Sequence, residues 1–291
     1  MEKLGVVVIG MGIAGKARVR DLIAYKDIPE MKNVQLIGYV TRQELEIEGA
    51  KRLLDDPFTR ADVHIIIIST ENERHEELAR KALCAKKHVL VDYPLGRSFP
   101  VVEQLHQLAK ENNVICQEES LSLLLDSTHI IKDHLKEKEL EIAYYKFTAS
   151  LSHAWISDFK ASGSPFICNI NLFHTLLEWF SDLTPVMSSI IQTEGKGFKA
   201  TAEMRTSCNK PVHLSIERAE GLSRGKSINF KFTDGSILDE MPPYKPSTPG
   251  LFFKDFLLFM EMVNGNTELY KQWSERTLKA TRLADEFTQL A

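Results

Sequence analysis

Two apolar patterns alternate along the first 120 residues. Short unbroken runs at 6–9, 34–40, 63–68, 87–91 and 114–117 are dense in β-branched residues. Runs this short and this continuous predict strands buried on both faces. Between them, 15–24, 76–85 and 99–112 have the mixed spacing of helices. Strands alternating with helices predict an α/β domain with a five- or six-stranded parallel sheet.

Beyond residue 120 the pattern changes. The stretch 119–136 reads as a helix with Leu121, Leu124, Leu125 and Ile131 on one side, and 140–151 alternates as a long strand. A helix is expected at 166–180, and strands at 186–193, 199–208, 212–219 and 227–233, the last ending in the turn pair Asp234-Gly235. Consecutive strands with short turns predict antiparallel pairing. Helices at 250–263 and 269–290 close the chain. The expected organisation is a dinucleotide-binding domain over 1–120 and an α+β domain over 121–291, built on a large, mainly antiparallel sheet and supplying the substrate side. One face of that sheet stays available, which leaves monomer and homodimer both open.

The junction of the first strand and helix carries the clearest chemistry. Gly10-Met11-Gly12-Ile13-Ala14-Gly15 is a G-x-G-x-x-G spacing. In this setting the first glycine makes a tight turn, the second lets backbone approach a pyrophosphate, and the third packs helix on strand. The helix N-terminus offers its N–H groups to the phosphates. The second strand ends in Thr41-Arg42-Gln43, with no acidic residue at the place where one would hold a ribose 2′-hydroxyl. A hydroxyl and a guanidinium suit a 2′-phosphate, so NADPH is expected ahead of NADH. Glu44 is the alternative reader of an unphosphorylated ribose. Ligands of such sheets lie beyond the strand ends. That makes Ser69, Thr70, Asn72, Asp92 and Tyr93 candidate cofactor contacts, with His75 either joining them or serving the helix start.

Composition narrows the partners. The net charge is −4 with no long basic run, which argues against nucleic acid. No apolar stretch approaches the roughly 20 residues of a membrane span, and the first apolar run already belongs to a strand, so no secretory leader is expected. The cysteines at 84, 116, 168 and 208 form no CxxC pair, which predicts free thiols and a cytoplasmic protein. Histidines and cysteines show no metal-ligand spacing, so no metal is expected.

With these motifs in hand, the chain resembles the glucose–fructose oxidoreductase and inositol dehydrogenase superfamily. Where that superfamily has a strand ending in Glu-Lys-Pro, this chain has Asp92-Tyr93-Pro94, and a tyrosine there is similar to the biliverdin reductase family. KLGVVVIGMGIAGKARVRDL, QLIGYVTRQEL, KKHVLVDYPL, SINFKFTDGSILDEMP and FFKDFLLFMEMVNGN extend the likeness over nearly the whole chain. The resemblance implies hydride transfer from NADPH to the central bridging carbon of a linear tetrapyrrole, with proton transfer to a pyrrole nitrogen. It implies a site at Tyr93, a phenol able to donate a hydrogen bond. Vertebrate members carry a Ser-Arg pair where this chain has Asn171-Leu172, so the arginine is missing. The proton source is then Tyr93, His174 close by or solvent, with His174 either a donor near neutral pH or a packed helical histidine, and Glu118 and Glu119 are weaker positioning groups. Arg218, Arg224 and Lys226 are candidates for the two propionates, or ordinary surface charges at a turn. A sugar or polyol dehydrogenase, and a silent cofactor-binding regulator, are the competing readings.

Overall fold

The computed structural model describes residues 3–151 and 154–291. The chain forms two compact units, Met1–Leu121 with Pro246–Leu278, and Ser122–Lys245 with Lys279–Ala291. The first unit opens with β1 (Leu4–Ile9), α1 (Ile13–Ala24), β2 (Val34–Val40), β3 (Ile65–Ile68), α2 (His75–Cys84), β4 (His88–Val91), α3 (Phe99–Glu111) and β5 (Cys116–Glu118). Its five strands are parallel in the order β2-β1-β3-β4-β5. The order reverses between β1 and β3, the point where open α/β sheets bind ligands.

The second unit holds α4 (Asp126–Glu137), β6 (Leu140–Ala149), three short-to-medium helices α5 (Phe159–Ser162), α6 (Pro165–Cys168) and α7 (Ile170–Phe180), and then β7 (Leu183–Gln192), β8 (Phe198–Thr206), β9 (Pro211–Arg218), β10 (Gly225–Phe232) and β11 (Ile237–Leu238). The chain then returns to the first unit as α8 (Leu251–Val263). A last helix, α9 (Thr267–Leu290), starts in the first unit and ends in the second.

The period-2 geometry of strands explains the unbroken apolar runs of the first sheet. Val7, Ile9, Ile66, Ile68, Val89 and Val91 face a core with Leu78, Ala82, Val102 and Leu105 of α2 and α3. Val6, Val8, Ile65, Ile67 and Leu90 face the other way, onto Val19 and Leu22 of α1. That second face is completed by Phe253, Phe256, Phe259 and Met260 of α8, spaced three and four apart. Each such side chain is worth about 1.5–3 kcal/mol when buried. Between β2 and β3 there is no helix among the described residues, so α8 supplies the helix this face lacks. This is why 246–278, expected in the C-terminal domain, belongs to the first unit.

The second unit covers its sheet with α7, whose Trp179 packs edge-on against Tyr145 of β6 and Phe230 of β10. The strand order is β11-β10-β6-β9-β8-β7. β7, β8 and β9 are antiparallel neighbours as expected, but β6 and β9 run parallel. The 219–224 connection passes over the end of β6, and β10 then pairs on its far side.

Two expected helices are broken. In place of one helix over 119–136, Glu119 and Ser120 precede a 3₁₀ turn at Leu121–Leu124, and α4 starts only at Asp126. The Asp126-Ser127-Thr128 sequence is a helix-start composition, and the Thr128 hydroxyl donates to the Ser122 carbonyl at 2.6 Å. The 166–180 helix divides at Asn169 (φ −118°, ψ 36°). There the Asn169 amide donates to the Pro165 carbonyl at 2.8 Å, while its oxygen accepts from the Arg218 guanidinium at 2.9 Å.

Candidate functional site

The parallel sheet brings five strand ends to one edge. Ladder bonds continue one residue past each strand. The N–H groups of Gly10, Ser69, Asp92 and Glu119 donate to the carbonyls of Val40, Ile9, Ile68 and Val91 at 2.7–2.9 Å. The segments beginning at Thr41, Gly10, Ser69, Asp92 and Glu119 therefore lie side by side.

The glycines of the first turn differ in what they do. Gly10 has φ +95°, and a Cβ there would sit 2.3 Å from the Ser69 carbonyl oxygen. A Cβ on Gly15 would sit 1.9 Å from the Gly10 carbonyl oxygen. A Cβ on Gly12 would meet nothing within 4 Å. Gly10 and Gly15 are thus required by the fold, whereas Gly12 borders open space at the start of α1. That helix has no side-chain cap and no acidic residue in its first turn, so its N–H groups and partial positive charge are offered outward. Met11 is buried, Ile13 is 87% exposed beside the turn, and Ala14 is half-buried. Beneath the turn the Ser69 hydroxyl oxygen is buried without a hydrogen-bond partner. An open backbone cradle, an uncapped helix start and an orphaned hydroxyl fit a dinucleotide: Gly10–Gly15 for the pyrophosphate, Ser69 and Thr70 alongside.

At the neighbouring strand end Thr41 accepts from the Gln43 N–H at 3.2 Å, and Arg42 pairs with Glu71 at 2.7 Å with side chains 73% and 40% exposed. A pair so exposed is held weakly, and Arg42 can exchange it for a phosphate. Arg52, not singled out from the sequence, donates to the Thr41 carbonyl at 3.4 Å.

Two expected cofactor contacts have other work. His75 is 1% exposed, and its ring nitrogens lie 2.8 Å from the Pro94 carbonyl and 3.0 Å from the Thr70 carbonyl. It ties two loops together and has no nitrogen left for a ligand. Asp92 turns to Arg18 of α1, which reaches it at 2.7 Å and reaches Asp255 of α8 at 3.2 Å. Arg18 is also stacked on Phe252, 5.0 Å from its ring centre. Glu119, expected as a catalytic group, is 4% exposed beside this cluster, and its carboxylate accepts from the Leu121 N–H at 3.2 Å. One guanidinium faces three carboxyl groups. Burial, with Asp92 and Asp255 nearby, holds the Glu119 carboxyl well above the usual carboxylate range. Burial pushes Asp255 up to about 6 despite Arg18. Glu119 is therefore the proton-holding member of a structural cluster in which Asp255 pairs with Arg18. Glu118 accepts from the Leu95 N–H and is equally buried. Asn72 is buried, and Tyr93 is half-buried at the end of β4, followed by a cis peptide to Pro94.

In the second unit His174 is fully buried in α7. With no surface of its own exposed, it is the packed histidine of the two readings above. Asn171 is 8% exposed, its carbonyl accepting from Ser122 and Thr175, and Leu172 is fully buried. Arg218 and Arg224 lie over Phe147, their guanidinium carbons 5.4 and 5.9 Å from its ring centre, and Lys226 stands opposite Phe147 in the β6–β10 ladder. Arg18 and Asp255 were missed from the sequence. The available signal was a charge on an apolar stripe, since Arg18 shares its helix face with Gly15, Val19 and Leu22.

The fold and strand-end cradle define a dinucleotide-binding protein, and residues 4–120 match the family described as "Oxidoreductase family, NAD-binding Rossmann fold". Residues 128–245 match "Biliverdin reductase, catalytic". Biliverdin reductase A of Mus musculus is 31% identical over 99% of this chain and 96% of the mouse protein. That of Homo sapiens is 30% identical over 97% of this chain and 91% of the human protein. The chain belongs to the biliverdin reductase A family. The crystal structure of biliverdin reductase from Synechocystis sp. PCC 6803, in complex with biliverdin and NADP+, shares the fold with a TM-score of 0.82 at 18% identity, over 99% of each chain.

Two outcomes follow from this geometry. Gly12→Val abolishes dinucleotide binding in a fluorescence titration while leaving the melting temperature near wild type, whereas Gly15→Val lowers the melting temperature itself. Equal thermal losses in both variants would remove the distinction drawn here. The second outcome concerns pH. A carboxyl whose folded pKa is raised contributes stability below its ordinary pKa and loses it as pH rises through the folded value. Glu119→Gln has no such loss. Its unfolding free energy in urea, relative to wild type, therefore rises between about pH 5 and pH 8, and a constant difference would show that Glu119 does not hold the proton.

Proposed function

We propose that this chain catalyses the NADPH-dependent reduction of biliverdin to bilirubin. The carrying observation is the strand end Asp92-Tyr93-Pro94, set two strands from the phosphate cradle in a sheet that aligns both at one edge. When bound, NADPH supplies the hydride that the central bridging carbon of the tetrapyrrole accepts. Gly10–Gly15 and the start of α1 hold the pyrophosphate, Ser69, Thr70 and Asn72 lie alongside, and Thr41, Arg42 and Gln43 take the adenosine end. Tyr93 forms a wall that orients the reacting groups. Asn171, Arg224 and Lys226 are the substrate contacts of the second unit.

The reduced substrate needs one proton on a pyrrole nitrogen. Leu172 offers none, His174 is enclosed, and Glu119 is committed to the Arg18 cluster. We assign that proton to water, with Tyr93 positioning rather than donating. The four cysteines are free thiols, which supports a cytosolic setting. No helix among the described residues is long and apolar enough to cross a membrane. The outward sheet face carries the Lys146–Glu217 pair beside exposed Tyr144, Met187 and Ile191, which accommodates a monomer or a homodimer.

The direct test mixes the protein with NADPH and biliverdin and follows the visible spectrum. Conversion of the green pigment to the yellow one is expected; cofactor binding without conversion, or reduction of NADP+ by a polyol instead, would overturn the reading. Arg42→Ala weakens NADPH by at least about tenfold, the scale of a lost charge-assisted bond, and leaves NADH unchanged. Equal losses for both cofactors would show that Arg42 does not read the 2′-phosphate. Tyr93→Phe retains turnover within a few-fold of wild type. A drop on the order of 10²-fold, the scale of general acid catalysis, would return proton delivery to the phenol.

A further inference from the structure

His75 opens α2, and each of its ring nitrogens faces a backbone carbonyl. Nδ1 lies 2.8 Å from the Pro94 oxygen and Nε2 lies 3.0 Å from the Thr70 oxygen. A carbonyl oxygen only accepts. A neutral imidazole has one N–H and one lone pair, so it serves one of these carbonyls and repels the other. The imidazolium, with a proton on each nitrogen, makes both bonds. No backbone N–H reaches either carbonyl among the described residues, so the ring is what holds them.

The two carbonyls belong to segments with separate work. Thr70 follows Ser69, whose N–H continues the ladder to Ile9. A Cβ on Gly10 would come 2.9 Å from Thr70 Cγ2, so Thr70 lies directly against the glycine turn. The Thr70 hydroxyl donates to the Glu71 carbonyl at 3.3 Å, and the Glu71 carboxylate holds Arg42 at 2.7 Å. One short segment thus borders the pyrophosphate cradle and also carries the partner of Arg42, the expected reader of the 2′-phosphate. Pro94 follows Tyr93 at the end of β4. The two bonds are not equal. Pro94 is buried and its bond is the shorter, whereas Thr70 is half-buried. A ring with one proton keeps it on Nδ1, because the Thr70 carbonyl can turn to water and the Pro94 carbonyl cannot.

The charged groups on the surrounding elements have partners of their own. On the two loops Glu71 pairs with Arg42, Asp92 is turned to Arg18, and Glu73 and Arg97 complete the set. On α2, Glu76 pairs with Arg80, and Glu77 with Lys81 and Arg74. From β5, Glu118 accepts from the Leu95 N–H, one residue past Pro94. From α3, His106 is pushed down to about 4 by burial and stays neutral above that. His75 makes no ion pair with any of them, so what its two bonds require is a second ring proton.

We propose that His75 is a proton-dependent positioning residue of the dinucleotide site. The imidazolium clasps the Thr70 and Pro94 segments together, and loss of the Nε2 proton releases the Thr70 segment while Pro94 stays held. The released segment no longer fixes Thr70 against the glycine turn or Glu71 beside Arg42, so dinucleotide is bound more weakly as pH rises. No tetrapyrrole takes part, and the clamp stands or falls independently of the proposed reaction.

Two measurements on the full-length protein test this between about pH 5.5 and about pH 8.5, a span that brackets the ordinary titration of histidine. The first is nitrogen-15 NMR of protein labelled at histidine, with the His75 ring assigned by its absence from His75→Gln. At the acid end both ring nitrogens are expected to carry protons. At the alkaline end Nδ1 keeps its proton and Nε2 is bare. One protonation state throughout, of either kind, or retention of the proton on Nε2 instead, overturns the clamp. The second is fluorescence titration of NADPH, and of NADH, which has no 2′-phosphate of its own to titrate. Wild type is expected to lose about fivefold more affinity for each cofactor over the span than His75→Gln does, the scale of one net hydrogen bond, because the glutamine amide does not titrate. His75→Asn is the second variant should His75→Gln melt early. Parallel pH profiles in wild type and variant would show that the ring packs the loops without gating the cofactor, and would overturn the proposal.

Discussion

The first unit depends on one buried guanidinium. Arg18 projects from the helix whose uncapped N-terminus follows the glycine turn, and it holds Asp92 at the end of β4 and Asp255 on α8. Both bonds are nearly out of solvent, where removing one partner of an ion pair costs about 3–5 kcal/mol because the other is left uncompensated. The triad therefore fixes three elements to one another: the cradle helix, the loop that presents Tyr93, and a helix 237 residues away in sequence from Arg18. It also explains why a chain that has left the first unit must come back. Without α8 the α1 face of the sheet would lack Phe253, Phe256 and Phe259, and Arg18 would lose one of its carboxylates.

That arrangement carries an excess of negative charge. Arg18 balances one carboxylate, and Asp92, Asp255 and Glu119 surround it. Burial settles the excess by keeping the proton on Glu119 rather than by admitting more cations. The consequence for the strand-end edge is specific. Asp92 stands immediately before Tyr93, yet it is turned inward, so the loop presents the phenol and withholds the carboxylate. A sheet edge meant to receive a phosphate-bearing ligand gains from having its nearest acid neutralised by its own helix.

Local patterns in the sequence report what a residue's immediate neighbours dictate, and they do so well here. The apolar runs at 6–9 and 63–68 could only be strands buried on both faces, and the glycine spacing could only be useful at a strand-to-helix turn. What was illegible is what depends on distant partners. Asp92 and His75 read as ligand contacts because they sit at strand ends, and nothing nearby in sequence announces Arg18, Pro94 or Thr70 as their partners. Glu119 read as a helix start and a positioning group at the catalytic site, whereas its backbone continues the ladder with Val91 and its carboxyl faces charges contributed by three other elements. The return of α8 was equally hidden, since an apolar helical stripe says that a sheet is covered but not which one.

The second unit shows the same limit from the other side. Arg218, Arg224 and Lys226 lie within nine residues of one another and read as charges flanking a turn. An ordinary hairpin would have left them in water, paired with whatever acids were near. The parallel pairing of β6 with β9 forces the connection to cross the end of β6 instead of folding back beside β9. The crossover then carries both arginines onto the Phe147 ring, with Lys226 opposite it in the ladder, and leaves Glu217 on the other face, paired with Lys146. The topology of the sheet thus gathers charge that the composition alone would have dispersed, at an electrostatic cost seen in the lowered Lys226 beside Arg224.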